Sequence, residues 1–594
     1  MNGYQQRGHF WLAIGLLFSM LGGLLLVSCT TPDESQTPDT PATAIFPTMT
    51  MEKTEKLSYE FDTDGPWAEM VASRKSALSK LPRYDELPDN ATTWADYAER
   101  SFKELLTFDE CWIDQPSTGI RGYRPYVKGT DQWGGASRTR EITELMAGMD
   151  VLWPMYRYLQ LHPDEGRQAM VEEFINELPK YYNTRVEQTT NRPYEAKHDS
   201  WYYLENSVLK FGHLYFISRI PALKDPYLGS LGSAIQMAYN FEYLFPQFVN
   251  LEKQQADGYN TFNYPTSGLL AYALIHAYQM TGYEPYLVIV EEALIAMRNI
   301  KDPFYLLYEP QELAAAAAAA SFMIEYAPLI DSSIDYARLA QDFFYAQEQM
   351  LYHDGGQIGL KNFEPQTSQW LPDTWRDGLH VPYYNPIESG GINAPAYKEN
   401  FESVLFWLDY LRNMYGQSGF AAEEPLKILN LNRIKNFYFF SPNISDEWER
   451  DYGPESLQFI PYEDIDYYAV RDHEDETVRY KAGYNGKEIY GAGETLWAYL
   501  MFEALGESED QNALIVNLNV LDETYPPKPE DRQFIVFNPY DTQRTLSFTL
   551  KHLSDPFVII VNDGELGSYQ PGDPFEITLE GGESALIRLA NSDK

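Results

Sequence analysis

The chain of 594 residues is strongly acidic, with 87 Asp and Glu residues, 45 Lys and Arg residues and a formal net charge of −42 at pH 7. This charge excludes nucleic acid as a partner, because nothing in the sequence offers a basic stripe to phosphates. The only two cysteines are Cys29 and Cys111, and so low a count excludes a metal cluster held by thiols.

The first residues predict export and attachment to a membrane. Arg7 precedes the apolar run FWLAIGLLFSMLGGLLLV, and the tetrapeptide LVSC places Cys29 at its end. This pattern resembles a bacterial lipoprotein signal, in which the cysteine thiol carries diacylglycerol. An uncleaved anchor is the alternative, because the run is about long enough to span a bilayer. We expect a signal peptide over residues 1–29, lipidation of Cys29 and an extracytoplasmic protein that is lipid-anchored to a bacterial membrane.

A tether is predicted next. Residues 30–56 begin with TTPDESQTPDTPATAIFPTMT, which is rich in Thr and Pro and has few groups able to build a core. We expect this segment to be disordered and to lead to a domain that starts near residue 57.

Residues 57–508 predict a helical domain. Apolar residues recur at spacings of three and four in segments such as WADYAERSFKELLTF, SGLLAYALIHAYQM and NFESVLFWLDYLRNMY. Thr92, Asp164, Ser332 and Asp335 are of the types that cap helix N-termini. The segments alternate between an aromatic-rich set and a more charged set, which indicates a ring of inner and outer helices built from helical hairpins.

A run of alanines predicts one of the inner helices. Inner helices pack closely around the axis of a ring and therefore favour small residues, and residues 314–320 are all alanine. Glu312 and Glu325 bracket an apolar run that is too short to cross a bilayer, so a membrane span is not expected here.

After Gly506 the apolar pattern changes to a period of two. The segments NALIVNLNVL, RQFIVFNPY, RTLSFTLKHL, FVIIVNDG and FEITLEGGESALIRLA alternate in this way, with turn residues such as NDG and GG among them. A small antiparallel β-sandwich is therefore predicted over residues 509–594.

A helical-hairpin domain followed by a sandwich resembles the (α/α) toroid carbohydrate-active enzymes: six-hairpin glycosidases, toroid polysaccharide lyases and glucuronyl C5-epimerases. The stretch TSGLLAYALIHAYQMTGYEPYLVIVEEALIAM is similar to a hairpin of the last group, and FIVFNPYDTQRTLSFTL with FEITLEGGESALIRL resembles the accessory sandwich. The resemblance implies a mainly α fold, an (α/α) helical-hairpin toroid with a small C-terminal antiparallel β-sandwich, and a glycan as substrate or ligand. The sequence holds no diagnostic catalytic motif of any one family, so the resemblance transfers no catalytic residue.

The functional cleft of a helical ring lies at the mouth where the inner helices begin. In the stretch KHDSWYYLENSVLKFGHLYF, residues 197–216, the spacing predicts that His198, Tyr202 and Glu205 share one face of a helix start. His213, further along the same apolar helix, is expected to be a core histidine with its hydrogen bonds satisfied.

Three further segments carry candidates. Trp133 precedes a pair of glycines, and Tyr264 precedes a predicted inner helix. The longest helix-free span is WLPDTWRDGLHVPYYNPIESGGINAPAY, and long loops inside compact domains are usually functional or disordered. Its candidate residues are Trp375, Arg376, Asp377, His380 and Tyr384.

Hydrolysis of a glycan is the leading hypothesis. It needs two carboxyl groups about 5 to 9.5 Å apart, and we predict Asp377 and Glu205 as the acid and base, facing one cleft. The predicted substrate contacts are His198, Tyr202, Trp133, Tyr264, Trp375, Arg376, His380 and Tyr384.

Two other hypotheses stay open. A uronate polysaccharide lyase or C5-epimerase would use a base at C5 and a group that neutralises the sugar carboxylate. A non-catalytic glycan-binding or structural envelope lipoprotein would lack a productive pair of acids. We expect no metal and no cofactor, because the sequence has neither an HExxH motif nor a phosphate-binding glycine loop.

Overall fold

The computed structural model describes most of the chain beyond residue 60. The described residues are 61, 64–128, 142–193, 195, 197–257, 263–355, 357–359, 376–382, 395–443, 457–463, 469–471, 478–480 and 487–591. The signal peptide, the tether and four predicted functional residues (Cys29, Trp133, Trp375 and Tyr384) lie outside them.

Within the described residues, inner and outer helices alternate along the chain after a first helix, α1 (Pro66–Leu78). The outer helices are α2 (Trp94–Thr107), α4 (Glu165–Ile175), α6 (Lys224–Asn240), α8 (Pro285–Arg298), α10 (Tyr336–Gln347) and α12 (Glu423–Lys435). The inner helices are α3 (Leu145–Leu161), α5, α7 (Thr266–Thr281), α9 (Pro310–Tyr326), α11 (Tyr397–Met414) and α13 (Glu494–Phe502). Helix α5 comprises Ser200–Tyr202, the π-helical Tyr203–Lys210 and Phe211–Ser218. Short 3₁₀ turns are Leu178–Tyr181, Pro221–Leu223, Pro303–Leu306, Ala327–Ile330, Glu348–Met350, Asn436–Phe439, Ser441–Asn443 and Pro529–Asp531.

The inner helices form a closed ring. Each packs against the next, from α3 through α5, α7, α9 and α11 to α13, and α13 packs against α3. Each outer helix packs on a neighbouring inner helix: α4 on α3, α6 on α5, α8 on α7, α10 on α9, α12 on α11 and α2 on α13. An open solenoid would lack the contact between its first and last repeats. The predicted (α/α) toroid is therefore confirmed, with six hairpins among the described residues.

Small residues allow the inner helices to approach closely. The alanines 314–320 of α9 are all fully buried. At Gly268 of α7, an added Cβ would lie 2.3 Å from the carbonyl oxygen of Glu312. The segment Pro310–Ile330 is the one described stretch that is long and apolar enough to cross a membrane. Because most of it is buried inside the ring, it is a core helix, as predicted from the alanines.

Side chains cap several helices near the predicted positions. Asp164 accepts a hydrogen bond from the backbone N–H of Arg167, and Asp335 caps α10 in the same way. At α2 the cap is Thr93, one residue after the predicted Thr92. Ser332 lies outside the helix that begins at Tyr336 and bonds the Tyr336 hydroxyl instead of capping.

The long connections lead from outer to inner helices and carry short strands. These strands are β1 (Trp112–Gln115), β2 (Ile120–Tyr123), β3 (Tyr126–Lys128), β4 (Tyr182–Asn183), β5 (Gln188–Thr189), β6 (Lys197–Asp199), β7 (Phe248–Asn250), β8 (Gln255–Ala256), β9 (Tyr352–His353), β10 (Gln357–Ile358), β11 (Ala469–Arg471), β12 (Val478–Tyr480) and β13 (Lys487–Glu488). Because inner and outer helices alternate, the inner helices all run in one direction, and these connections gather at the end where they begin.

The C-terminal region forms two antiparallel sheets. Their strands are β14 (Gly506–Ser508), β15 (Leu514–Asn517), β16 (Gln533–Phe537), β17 (Arg544–Leu550), β18 (Phe557–Val561), β19 (Gly564–Tyr569), β20 (Pro574–Leu579) and β21 (Ser584–Asn591). One sheet has the order β14-β17-β20 and the other β15-β16-β21-β18-β19. The predicted small antiparallel β-sandwich is confirmed, and its first strand begins at Gly506, slightly before the predicted start.

The sandwich packs on the end of the ring where the inner helices finish. The Nε2 atom of His213, in the last part of α5, lies 2.7 Å from the carbonyl oxygen of Leu521. Arg412, near the end of α11, donates to Asp522 at 2.5 Å. The Trp153 indole donates to the other ring nitrogen of His213 at 2.8 Å. The prediction that His213 is a satisfied core histidine is confirmed.

Candidate active site

Buried charged side chains from three inner helices meet near the beginnings of those helices. We call Asp150 (α3), Glu205 and Lys210 (α5), and Lys398 and Glu402 (α11) the lysine–carboxylate cluster. Its members are all at most 1% exposed. Nζ of Lys210 lies 2.8 Å from Oε1 of Glu205 and also contacts the carboxylates of Asp150 and Glu402. Nζ of Lys398 lies 3.2 Å from Oε1 of Glu205 and 2.6 Å from Oε2 of Glu402.

The π-helical geometry of α5 creates the pair formed by Glu205 and Lys210. In an α-helix of 3.6 residues per turn, side chains five positions apart point about 140° away from each other. A π-helix bonds residue i to residue i+5 and therefore brings such side chains close together. Residues Tyr203–Lys210 are π-helical, and both charges consequently face the interior of the ring. π-helical segments are frequent at functional sites.

More carboxyl groups lie around the cluster. Glu309 and Glu312 stand at the start of α9, Glu399 at the start of α11, and Glu494 is the first residue of α13. All are buried. The side-chain amide of Gln311 joins this group to the cluster by donating to Oε2 of Glu205 at 3.3 Å. Helix N-termini carry partial positive charge, so this end of the ring favours anionic side chains.

The cluster holds two carboxyls whose proton affinities differ strongly. Burial acts to raise the pKa of Glu205, but the ammonium groups of Lys210 and Lys398 outweigh it and lower this pKa to about 2. Burial and the negative charge of Glu205 raise the pKa of Glu402 to about 7. One carboxylate oxygen each of Asp150, Glu205 and Glu402 lies within 4.8 Å of the others. An ionised carboxylate thus stands beside a carboxyl that keeps its proton up to neutral pH.

Carboxylate oxygens of this kind are also the ligands that hard divalent cations prefer. Here the ammonium group of Lys210 contacts Asp150, Glu205 and Glu402 together. The side chain of Lys210 therefore supplies the positive charge at the position that these three carboxylates would offer to a cation.

Aromatic rings adjoin the cluster. Nζ of Lys398 lies 5.6 Å from the centre of the Trp201 ring, which stacks on Tyr202 at 3.9 Å. Tyr126 and Tyr490 pack edge to face with ring centres 5.5 Å apart. Tyr126 and Tyr202 are partly exposed. Rings of this type offer flat apolar faces with a polar end. We call Tyr126, Trp201, Tyr202 and Tyr490 the aromatic rim.

His198 is not on the helix face that its spacing predicts. It belongs to strand β6, which pairs with β7, and α5 begins only at Ser200. Its Nε2 accepts from the backbone N–H of Asn191 at 3.1 Å, and its Nδ1 lies 3.0 Å from the carbonyl oxygen of Asp199. Burial lowers the pKa of His198 to about 4. The ring is neutral at pH 7, and both of its nitrogens are engaged with the backbone.

The segment 376–382 lies between α11 and α12. The backbone N–H of His380 donates to Asn400 of α11 at 2.6 Å, and Asn432 of α12 donates to the Gly378 carbonyl at 2.8 Å. Asn400 is two residues from Lys398 and from Glu402, so it points about 200° away from them around the helix. These contacts place the segment behind α11, whereas Glu205 lies in front of that helix.

The predicted residues of this segment have local partners. Oδ2 of Asp377 accepts from the backbone N–H of Gly355 at 3.2 Å, and Lys435 donates to the Asp377 carbonyl at 2.8 Å. The Arg376 guanidinium lies 5.0 Å from the centre of the Tyr352 ring. Nε2 of His380 lies 3.3 Å from the carboxylate of Glu348.

The remaining predicted contacts lie at helix starts. Tyr202 belongs to the aromatic rim, and Tyr264 is half-buried just before α7.

Sequence reasoning missed Asp150, Lys210, Lys398 and Glu402. A signal was present for one of them, since Lys210 interrupts the apolar run VLKFGHL and a lysine in such a run is almost never buried without an anionic partner.

The closed ring and the buried acidic site at its mouth define this chain as an (α/α)6 toroid protein with a candidate acid–base centre. No protein-family model and no curated protein matches the chain. A D-mannose isomerase is similar in structure over 70% of this chain and 98% of its own, with 9% identity and a TM-score of 0.42. Cellobiose 2-epimerase from Bacillus thermoamylovorans covers 68% of this chain and 98% of its own, with 12% identity and a TM-score of 0.41. A family 76 glycoside hydrolase (mannosidase) from Bacteroides thetaiotaomicron covers 68% and 96%, with 8% identity and a TM-score of 0.39. Likenesses this remote say nothing about the reaction of this chain.

Proposed function

We propose that the protein is a carbohydrate-active enzyme that hydrolyses glycosidic bonds with the paired carboxyl groups of Glu205 and Glu402. The observation that carries the proposal is the opposite direction of their pKa shifts at close range: about 2 for Glu205 and about 7 for Glu402, with one oxygen of each within 4.8 Å. Neighbouring carboxyls whose environments drive their pKa values apart are typical of an acid and a base or nucleophile.

The roles follow from the protonation states. Glu402 gives its proton to the glycosidic oxygen as the bond between that oxygen and the anomeric carbon breaks. Glu205 attacks the anomeric carbon and forms a glycosyl ester, because close carboxyls leave no room for a water molecule between carboxylate and sugar. Water then attacks the ester, returns a proton to Glu402 and frees Glu205, so that the anomeric configuration is retained.

The aromatic rim provides the approach for the sugar. Tyr126 and Tyr202 are partly exposed at the end of the ring where the inner helices begin. Their faces would stack on the apolar faces of pyranose rings. Lys210 and Lys398 would keep Glu205 ionised until it attacks the anomeric carbon, since both contact its carboxylate.

Glycan binding without turnover is the second candidate function. It is favoured by the complete burial of Glu205 and Glu402, both 0% exposed, because a reacting sugar must reach these groups.

In both candidates we propose that Cys29 anchors the protein on the outer side of a bacterial membrane. This proposal rests on the LVSC pattern after the apolar run.

The experiment is a screen of the purified full-length chain, in detergent, against neutral and uronate-containing glycans. New reducing ends indicate hydrolysis, absorbance of an unsaturated uronate indicates elimination, and retention without turnover indicates binding. Glu205→Gln and Glu402→Gln should each lower kcat by about 10²-fold or more.

Asp377→Asn is the matched control for these two variants. It also replaces a carboxyl group by an amide, but at the residue that the sequence predicts to be catalytic and that lies behind α11. We expect kcat to stay within about twofold of the wild type, because Asp377 takes no part in the proposed acid–base catalysis. Loss of an acid or base that does take part would cost roughly 10²-fold or more. Loss of turnover in Asp377→Asn with full turnover in Glu402→Gln would contradict the pairing proposed here.

A further inference from the structure

Carboxyl groups outnumber ammonium groups around Glu205. Two ammonium groups, those of Lys210 and Lys398, face seven carboxyl groups within the described part of the ring. The carboxyl groups are those of Asp150, Glu205, Glu309, Glu312, Glu399, Glu402 and Glu494. Each lysine already contacts at least two of these carboxylates. An anionic ligand would therefore compete with these carboxylates for ammonium groups that are already engaged.

The site also contains buried side-chain oxygen atoms that lack a hydrogen-bond partner among the described residues. The side-chain oxygen of Gln311, a residue with 0% exposure, has no hydrogen-bond partner in the described structure, although the amide nitrogen of the same side chain bonds Glu205. Oδ2 of Asp150 and Oε2 of Glu494 likewise lack one among the described residues. Buried polar atoms are rarely left without a partner, so each such atom requires an explanation. Hydroxyl and ammonium groups of a ligand are donors and would satisfy them.

The pKa values of the surrounding carboxyl groups show that the site opposes further negative charge. Burial and neighbouring carboxylates raise the pKa of Glu309, Glu312 and Glu494 well above the ordinary value. Ionisation of these side chains would add negative charge where the effective dielectric constant is low. A carboxylate brought by a ligand would meet the same opposition.

We infer that the sugar bound at this site carries no carboxylate, so that the ligands are glycans of neutral or amino sugars and not uronates. The inference rests on the proposed function at the same site and narrows its substrate class. It disfavours the lyase and C5-epimerase hypotheses, both of which require a sugar carboxylate held by a neutralising group.

The test compares glycans that differ only at C6. A panel of neutral polysaccharides is used as such and after selective oxidation of the primary alcohols to carboxylates, which leaves the linkages unchanged. Uronate polysaccharides are used as such and after chemical reduction of their carboxylates to alcohols. Binding to the full-length chain and release of reducing ends are measured separately for each pair.

We expect at least about tenfold tighter binding of the neutral member of each pair that binds, which is the factor that 1.4 kcal/mol produces. Reduction of a uronate polymer should create a ligand where there was none. Equal or tighter binding of the carboxylate form overturns the inference, and so does a failure of every pair to bind.

The two measurements separate this inference from the proposed function. Preference for neutral glycans without release of reducing ends upholds the substrate class and refutes hydrolysis. Release of reducing ends from the oxidised forms upholds hydrolysis and refutes the substrate class.

Discussion

Lys210 lies five positions after Glu205 on one π-helical turn, and the 2.8 Å between Nζ and Oε1 joins them inside the ring. The same ammonium group contacts Asp150 of α3 and Glu402 of α11. One side chain thus connects three inner helices and sets the protonation state of the proposed nucleophile. Its removal leaves buried carboxylates with less compensation, which is the costly way to break a buried ion pair.

Lys210→Met should therefore lower the free energy of unfolding by about 3–5 kcal/mol. It should also raise the pKa of Glu205, because Lys210 is the stronger of the two charges that lower it. Denaturant titration measures the first effect, and a shift of the acid limb of kcat/KM to higher pH measures the second. Lys224→Met, at the exposed start of α6, is the control and should change stability by less than about 0.5 kcal/mol. Equal stabilities of the two variants would show that Lys210 does not hold the cluster together.

Local sequence patterns predict the helical ring and its core, but not the lysine–carboxylate cluster. The alanine run of residues 314–320 and the core position of His213 follow from residue size and polarity, so both were predictable. Helix periodicity assumes 3.6 residues per turn, and with that period Glu205 and Lys210 face different directions. The π-helical segment depends on the packing of α5 within the ring, which no local pattern reveals. Lys398 and Glu402 share the spacing of an ordinary surface ion pair, and only the closed ring shows that they are buried.

Activity should depend on the proton of Glu402. Since burial and Glu205 raise its pKa to about 7, the acid is protonated below that pH and loses its proton above it. We expect kcat/KM to fall about tenfold per pH unit on the alkaline side of pH 7, as for an essential acid. A pH–rate profile on the best glycan of the screen checks this. In Glu402→Gln the residual rate should lose this alkaline limb. Persistence of the limb in that variant would assign the acid to another group.

A second buried carboxyl should make stability depend on pH. Burial raises the pKa of Glu104 in α2 to about 7, and its Oε2 accepts from the backbone N–H of Phe459 at 3.0 Å. The unfolded chain has the ordinary value of 4.5. The stabilisation by the bound proton is therefore complete below about pH 4.5 and is lost as the pH rises through 7.

Glu104→Gln keeps an acceptor for Phe459 and removes this titration. Between pH 5 and pH 7, the free energy of unfolding of the wild type should fall more steeply than that of the variant, by up to about 1.4 kcal/mol per pH unit. Denaturant titrations at several pH values give both slopes. Parallel slopes would mean that Glu104 is ionised in the folded protein at pH 5.

Membrane attachment is tested at Cys29. Cys29→Ala removes the thiol that would carry the lipid, so the protein should stay as an uncleaved precursor or leave the membrane fraction. Metabolic labelling with a palmitate analogue, followed by fractionation, measures both outcomes. Cys111→Ala is the control, since Cys111 is a buried residue of the ring, and lipid labelling should be unchanged in it. Full labelling of Cys29→Ala would disprove the lipoprotein prediction.

Close contact between α7 and α9 predicts opposite effects for the same substitution at two helical glycines. At Gly268 of α7, a Cβ atom would lie 2.3 Å from the carbonyl oxygen of Glu312 and 2.8 Å from Cβ of Ala316. The two inner helices must therefore separate, and Gly268→Ala should destabilise the protein by about 1–3 kcal/mol, as overpacking in a core does. At Gly232 of the outer helix α6, an added Cβ meets nothing within 4 Å, and Gly232→Ala should stabilise by about 0.5–1 kcal/mol through helix propensity. Thermal and denaturant unfolding of both variants measure these differences.

Because Glu312 adjoins the lysine–carboxylate cluster, Gly268→Ala should also reduce glycan turnover, whereas Gly232→Ala should leave it unchanged. Equal stabilisation by both substitutions would contradict the close packing of inner helices on which the architecture of the site depends.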